Sequence, residues 1–144
     1  MPQPIAAAPE AGDNEGTTNI RTALAAYYAD MLAPPFTAAR HFAPHVERLY
    51  IQQNLTPADI EANFARNFFP DNQQAVLQVE RGTLRVSPPV ADGSRVATFV
   101  EASRIYHPSR RGYQRLRAQV RARFNADYQI LYLRQERLLE NTFE

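Results

Sequence analysis

The sequence predicts an α+β domain, with helices first and a mainly antiparallel sheet after them. Three observations carry this. Apolar residues recur at helical spacing from about residue 18 to 33 and again from 56 to 69. From residue 75 onward, stretches rich in Val, Leu and Tyr alternate with turn sequences such as SPPVADGS and HPSRRG. The chain has 144 residues, a length that one domain fills, and 44% are hydrophobic, enough for one core.

Residues 1–17, MPQPIAAAPEAGDNEGT, are rich in Pro, Ala, Gly and acids and show no periodicity. They read as a disordered tail or linker. They lack the basic start and long apolar stretch of a signal peptide. Residues 18–144 then form a single domain. A helix starts at Thr18 or Asn19 as cap, carries Ile20, Leu24, Tyr27, Tyr28 and Met31 on one stripe, and ends before Pro34 and Pro35. A short helical piece covers Thr37 to Phe42. His45 to Tyr50, bounded by Pro44, reads as a short strand.

The next helix has a full start signal. Thr56 is a cap, Pro57 fits the first helical position, and Asp59 brings negative charge to the first turn. Ile60, Phe64 and Phe68 form its stripe, and Pro70 closes it. Four strands follow: Ala75–Val86, with Gly82 marking a bulge; Arg95–Tyr106; Tyr113–Phe124; and Tyr128 to about Leu138. Short turns between them favour an antiparallel meander.

All 16 basic residues are arginine, and they are unevenly placed. Residues 1–79 hold 4 Arg and 8 acids, a net of −4, and residues 80–144 hold 12 Arg and 7 acids, a net of +5. The two add to the overall +1, a small surplus for a protein that holds nucleic acid by charge alone. The densest basic segment is YQRLRAQVRARF. With a period of two, Leu116, Ala118, Val120, Ala122 and Phe124 share one face, and Tyr113, Arg115, Arg117, Arg121 and Arg123 share the other. Such a row repels itself unless neutralised, and Glu80, Glu101 and Glu136 on neighbouring strands are the expected cross-strand partners. Three readings stay open: a solvated, ion-paired face, a homodimer interface, and a nucleic-acid strip, the last disfavoured because aromatics do not interleave with the arginines.

Several chemistries are excluded or poorly served. There is no cysteine, so no disulfide, zinc–thiolate site or cysteine nucleophile. No glycine-rich phosphate loop occurs, no cofactor is called for, and no run approaches the roughly 18 apolar residues of a membrane span. His41 and His45 have metal-ligand spacing on a helix, but Pro44 breaks that helix and no carboxylate completes the set, so no metal is expected. Asn54-Leu55-Thr56 matches a glycosylation acceptor, with Thr56 doubling as the helix cap. Seven tyrosines are many for this length. Some must fill the core, and others can line a pocket with apolar walls and polar tips.

This order of elements, with ALAAYYADM in the first helix, HFAPHVERLYIQQNLTPADIEANFARNFF through the short strand and next helix, and YQI opening the last strand, resembles the nuclear transport factor 2-like superfamily over roughly residues 18–139. The resemblance implies a cone: a strongly curved sheet wrapped around the helices, often with a pocket between them. The segment VERLYIQQNLTPADIEANFARNFFP is similar to small bacterial domains without assigned catalysis, which implies a binding or assembly role. On that basis Tyr27, Tyr28, Tyr50, Phe64 and Tyr132 are candidate pocket residues for an apolar small molecule. The arginine face is a candidate homodimer or protein interface.

The superfamily also holds isomerases, cyclases and dehydratases. The position matching the isomerases' general-base aspartate, counted from Phe42 and Ala43, is Tyr50 here, a poor base with an ordinary pKa near ~10. Glu47 is the nearest carboxylate, and Tyr27 or Tyr28 corresponds to the oxyanion-hole tyrosine. Asp30 with His45 is the nearest match to the dyad of the dehydratases. A buried carboxylate or histidine beside a tyrosine would favour the enzyme; walls of aromatic and aliphatic groups alone would favour the binding module.

Overall fold

The computed structural model of the protein describes residues 14–144. Most of the expected tail, residues 1–13, lies outside the described residues, and residues 14–17 are already helical. Helix α1 spans Asn14–Met31, with Glu15 in its first turn, where an acid suits the helix dipole. Ile20, Leu24, Tyr27, Tyr28 and Met31 are all buried, as their spacing predicts. Fully burying a side chain of this size stabilises the fold by roughly 1.5–3 kcal/mol. A 3-10 turn at Ala38–Arg40 follows.

Helix α2 spans Pro57–Asn63. Its start is a reciprocal cap: Asp59 N–H donates to Thr56 Oγ1 at 3.2 Å, and Thr56 N–H donates to Asp59 Oδ2 at 2.9 Å. The helix widens at Phe64–Phe68 and tightens at Phe69–Asp71, where Pro70 stops it. The aromatic stripe survives this irregularity. Phe64 meets Phe36 at 5.0 Å and Phe68 at 5.6 Å between ring centroids.

The sheet has seven strands: β1 (Val46–Leu49), β2 (Gln52–Leu55), β3 (Gln73–Val79), β4 (Arg85–Val86), β5 (Arg95–His107), β6 (Gly112–Phe124) and β7 (Ile130–Phe143). Their order is β2-β1-β7-β6-β5-β3, with β4 also on β5. The sheet is mixed, open and curled: β1 runs parallel to β7, and the other pairings are antiparallel. Bulges help it curl, because β7 slips register against β6 at Arg117/Ala118, Gln119/Val120 and Arg123/Phe124. The buried core joins α1, α2 and one face of this sheet, through Ala97, Phe99, Val120, Ala122, Phe124 and Leu133.

Helix α1 begins four residues before the expected cap, so Thr18 and Asn19 lie inside it and not at its start. Three further boundaries differ from expectation. β2 has no apolar alternation; it forms because a tight turn at Tyr50 and Ile51 lays Leu49 against Gln52. The expected strand Ala75–Val86 divides. The chain leaves β5 after Glu80, loops out over residues 81–84 and returns at Arg85. Gly82, at φ 79°, adopts a conformation open to glycine there, so it marks an excursion of several residues instead of a one-residue bulge. β7 runs to Phe143, beyond the expected end at Leu138, held by its ladder to β6 although little of its far half is buried.

Candidate functional site

The inner face of β5 carries a charged residue where an apolar one would serve packing. Glu101 alternates with Phe99 and Ser103 on that face and is only 4% exposed. Tyr28 of α1 donates its hydroxyl to Glu101 Oε2 at 2.5 Å. Tyr50, at the β1–β2 turn, approaches the same oxygen at 3.4 Å, and Gln135 Nε2 of β7 donates to Oε1 at 2.9 Å. A buried carboxylate without donors costs several kcal/mol, about the price of an uncompensated ion; here three elements converge to provide them.

Tyr50 holds its place under strain. Its φ is 56°, in the left-handed region that a bulky residue rarely occupies, at a cost on the order of 1–2 kcal/mol. Its N–H donates to the Leu133 carbonyl at 2.7 Å, and Arg48 Nε donates to its carbonyl at 2.8 Å. These bonds fix the turn that brings the phenol towards Glu101. Tyr27 lies beside this group, fully buried, and its hydroxyl finds no hydrogen bond of regular geometry. Burial pushes the Tyr27, Tyr28 and Tyr50 hydroxyls well above the ordinary tyrosine range. The Glu101 carboxylate adds to the rise at all three, and the Tyr50 hydroxyl partly offsets it at Tyr27. All three phenols are therefore proton donors at neutral pH.

Tyr28 also touches open space. A cavity of about 680 Å³ lies between α1 and the β3–β4 segment. Its apolar wall includes Tyr28, Leu32, Leu77, Val79 and Leu84, and Arg21, Arg81 and Arg85 also line it. A second cavity, of about 460 Å³, is lined by Ala26, Asp30, Arg40, His41, Tyr128 and Ile130. There His41 Nε2–H donates to Asp30 Oδ2 at 2.6 Å, while its ring stacks on Phe36 at 5.5 Å.

The expected Asp30–His45 pair therefore does not form. The 3-10 turn at Ala38–Arg40 brings His41 back to the end of α1, and His45 stays exposed. His107 is held by Asp71, through its carbonyl oxygen at 2.6 Å, and by Gln114 Oε1 at 2.8 Å. Among the described residues no cluster of three or more His, Asp or Glu could hold a metal ion, and no helix is long and apolar enough to cross a membrane.

The pocket candidates separate. Tyr28 reaches the larger cavity, and Tyr50 joins it at Glu101. Tyr27 and Phe64 sit in the aromatic core, Tyr27 against Phe42 at 5.5 Å and Phe64 against Phe36. Tyr132 of β7 stands opposite Arg123 of β6 and Arg48 of β1, which puts it on the outer face.

The outer arginine face is largely neutralised within the chain. Arg117 makes two bonds to Glu80, at 2.7 and 3.0 Å, and Arg123 two to Glu47, at 2.7 and 2.5 Å. Arg115 and Arg104 share Glu144, at 3.3 and 3.0 Å. Tyr113 lies under the Arg104 guanidinium, 3.7 Å from ring centroid to carbon. Glu80 is the partner the sequence suggests. Glu101 is not, because it faces inward, and Glu136 is not, because β7 slips register there. Glu47 and Glu144 are the other partners, brought by β1 and the chain's end. Arg121 stands directly opposite Arg134, and neither side chain has a hydrogen bond or ion pair among the described residues.

Sequence reasoning missed Glu101 and Gln135 as partners of the tyrosines, and Arg21, Arg81 and Arg85 as a group. A signal for Glu101 was present: it shares strand parity with Ala97, Phe99 and Ile105, so a charge stood on the apolar face. Compared with protein-family models, with curated proteins and with solved structures, the chain matches none.

Proposed function

We propose that the chain is a noncatalytic ligand-binding module built on the nuclear transport factor 2-like cone, with its ligand held between α1 and the sheet. The cone is supported by the order of elements and by a curled sheet that packs one face on both helices. The observation that carries the function is the 680 Å³ cavity, a size suited to a small organic ligand, with an apolar wall and few polar groups. Ala25 lines it from the exposed side of α1, so Ala25→Trp fills the cavity without touching the core. Nile red, a neutral apolar dye, tests the site. Wild type is expected to bind it, and Ala25→Trp to lose at least about tenfold in affinity at unchanged Tm. Equal binding by both proteins refutes the reading.

A second reading, an isomerase, cyclase or dehydratase, is favoured by Glu101. It supplies, from β5, the buried carboxylate beside tyrosines that such chemistry uses: a base, with Tyr28 and Tyr50 as donors to a developing oxyanion. Against it, Glu101 already accepts from its neighbours and is not on the wall of the larger cavity. NMR of β,γ-unsaturated ketones in D2O separates the two. Deuterium exchange next to the carbonyl that Glu101→Gln abolishes would favour the enzyme; no exchange leaves the binding module. A homodimer or nucleic-acid contact through the outer face has less support, because Arg115, Arg117 and Arg123 are already paired within the chain.

A further inference from the structure

The charge on the wall of the larger cavity carries information about its occupant. Three guanidinium groups, those of Arg21, Arg81 and Arg85, line a space whose remaining wall is mainly apolar. Arg21 comes from α1; Arg81 and Arg85 flank the loop that leaves and rejoins β5. The one carboxylate on this wall, Glu80, is taken by Arg117 on both of its oxygens, so it does not neutralise the group. Among the described residues the side chains of Arg21 and Arg81 have no hydrogen bond or ion pair. Arg85 is oriented by its own loop: its Nη1 donates to the Gly82 carbonyl at 3.2 Å and the Leu84 carbonyl at 3.0 Å.

On the apolar side Leu32 lines the cavity and is 44% exposed. Leu77, Val79 and Leu84 continue that surface. Arginine is suited to such a site because its planar fork binds a carboxylate through two bonds and is weakly hydrated beside apolar groups.

We infer that the cavity takes an amphipathic anion: a ligand with an apolar body against Leu32, Leu77 and Leu84 and a single anionic head, such as a carboxylate, held by Arg21 and Arg81. This rests on the ligand-binding reading and adds the ligand's chemical class. An aliphatic chain matches the apolar wall, and a free acid, unlike a diacylated lipid, fits within the cavity volume.

Displacement of Nile red by decanoate and by 1-decanol, at pH 8 and low salt, tests it. The chains match and only the head charge differs. Decanoate is expected to displace the dye at a concentration at least about tenfold lower than decanol. The double variant Arg21→Gln/Arg81→Gln is expected to bring decanoate to the level of decanol and leave decanol unchanged, which also shows that the variant is folded. Equal potency of both compounds on the wild type overturns the anion assignment and spares the cavity. So does a decanoate preference that survives in the double variant. Dye binding that neither compound disturbs overturns the assignment, and no dye binding at all overturns it together with the ligand-binding reading.

Discussion

The sheet carries a polar network on each face, and the two faces differ in kind. On the inner face, Tyr28, Tyr50 and Gln135 converge on one buried carboxylate. On the outer face, Arg104, Arg115, Arg117 and Arg123 pair with three carboxylates that remain in contact with water. The outer set contains more charges and more bonds. Its weight is nevertheless smaller, because exposed ion pairs exchange one solvated state for another and contribute about 0–1 kcal/mol each. Glu101 and Tyr28 of the inner set are shut away from water, so losing either leaves a buried group unsatisfied, while Tyr50 is half-buried and Gln135 is exposed.

The largest effect expected from this contrast is at Glu101. Glu101→Ala strands the Tyr28 and Tyr50 hydroxyls and should cost roughly 3–5 kcal/mol, read as a lower urea midpoint. A loss below about 1 kcal/mol would mean that water reaches the tyrosines and that the two faces are alike. Tyr28→Phe should cost less, about 1–3 kcal/mol, since Glu101 keeps Gln135.

Alkali should find the same group. The folded pKa values of Tyr27, Tyr28 and Tyr50 are raised, so the folded state holds protons that the unfolded state releases above about pH 10. Their contribution is complete below that pH and is lost as pH rises towards the folded values. Absorbance at 295 nm should show the buried Tyr27 and Tyr28 ionising only together with unfolding, seen by circular dichroism. Smooth titration in a still-folded protein would contradict their burial.

The outer face should respond weakly and in the opposite direction. Arg117 holds the Glu80 carboxyl below its usual range, and Arg123 does the same for Glu47. What these pairs add is present above the unfolded carboxyl pKa, near ~4.3, and is lost as pH falls through the folded values. Arg117→Ala should lower the urea midpoint far less than Glu101→Ala does, and less again at 1 M salt. The smallest change is expected at Arg121, which opposes Arg134 across the ladder. Arg121→Glu should be neutral or slightly stabilising, by about 0.5 kcal/mol in a urea titration.

The same contrast explains what the sequence could reveal. The outer face was legible because a period of two sorts YQRLRAQVRARF cleanly, and the core stripe of α1 was legible for the equivalent helical reason. The cap at Thr56 was visible in three neighbouring residues. The inner group was hidden because its members lie on four elements, with Tyr28 and Glu101 separated by 73 positions. Nothing local links them. β2 was hidden because a strand with no apolar pattern exists only through its pairing with β1. His41 was passed over for His45 because the short turn that returns it to Asp30 leaves no periodic trace.

The central claim is that ligands meet this protein on the inner side of the sheet, beside α1, and not on its arginine face. Amide chemical-shift mapping by NMR during titration with decanoate tests it most directly. The account predicts shifts concentrated at Arg21, Tyr28, Leu77 and Arg81 to Arg85, with residues 115–123 and 134–137 unmoved. Shifts centred on Arg121, Arg134 and Arg137, or none anywhere, would contradict it.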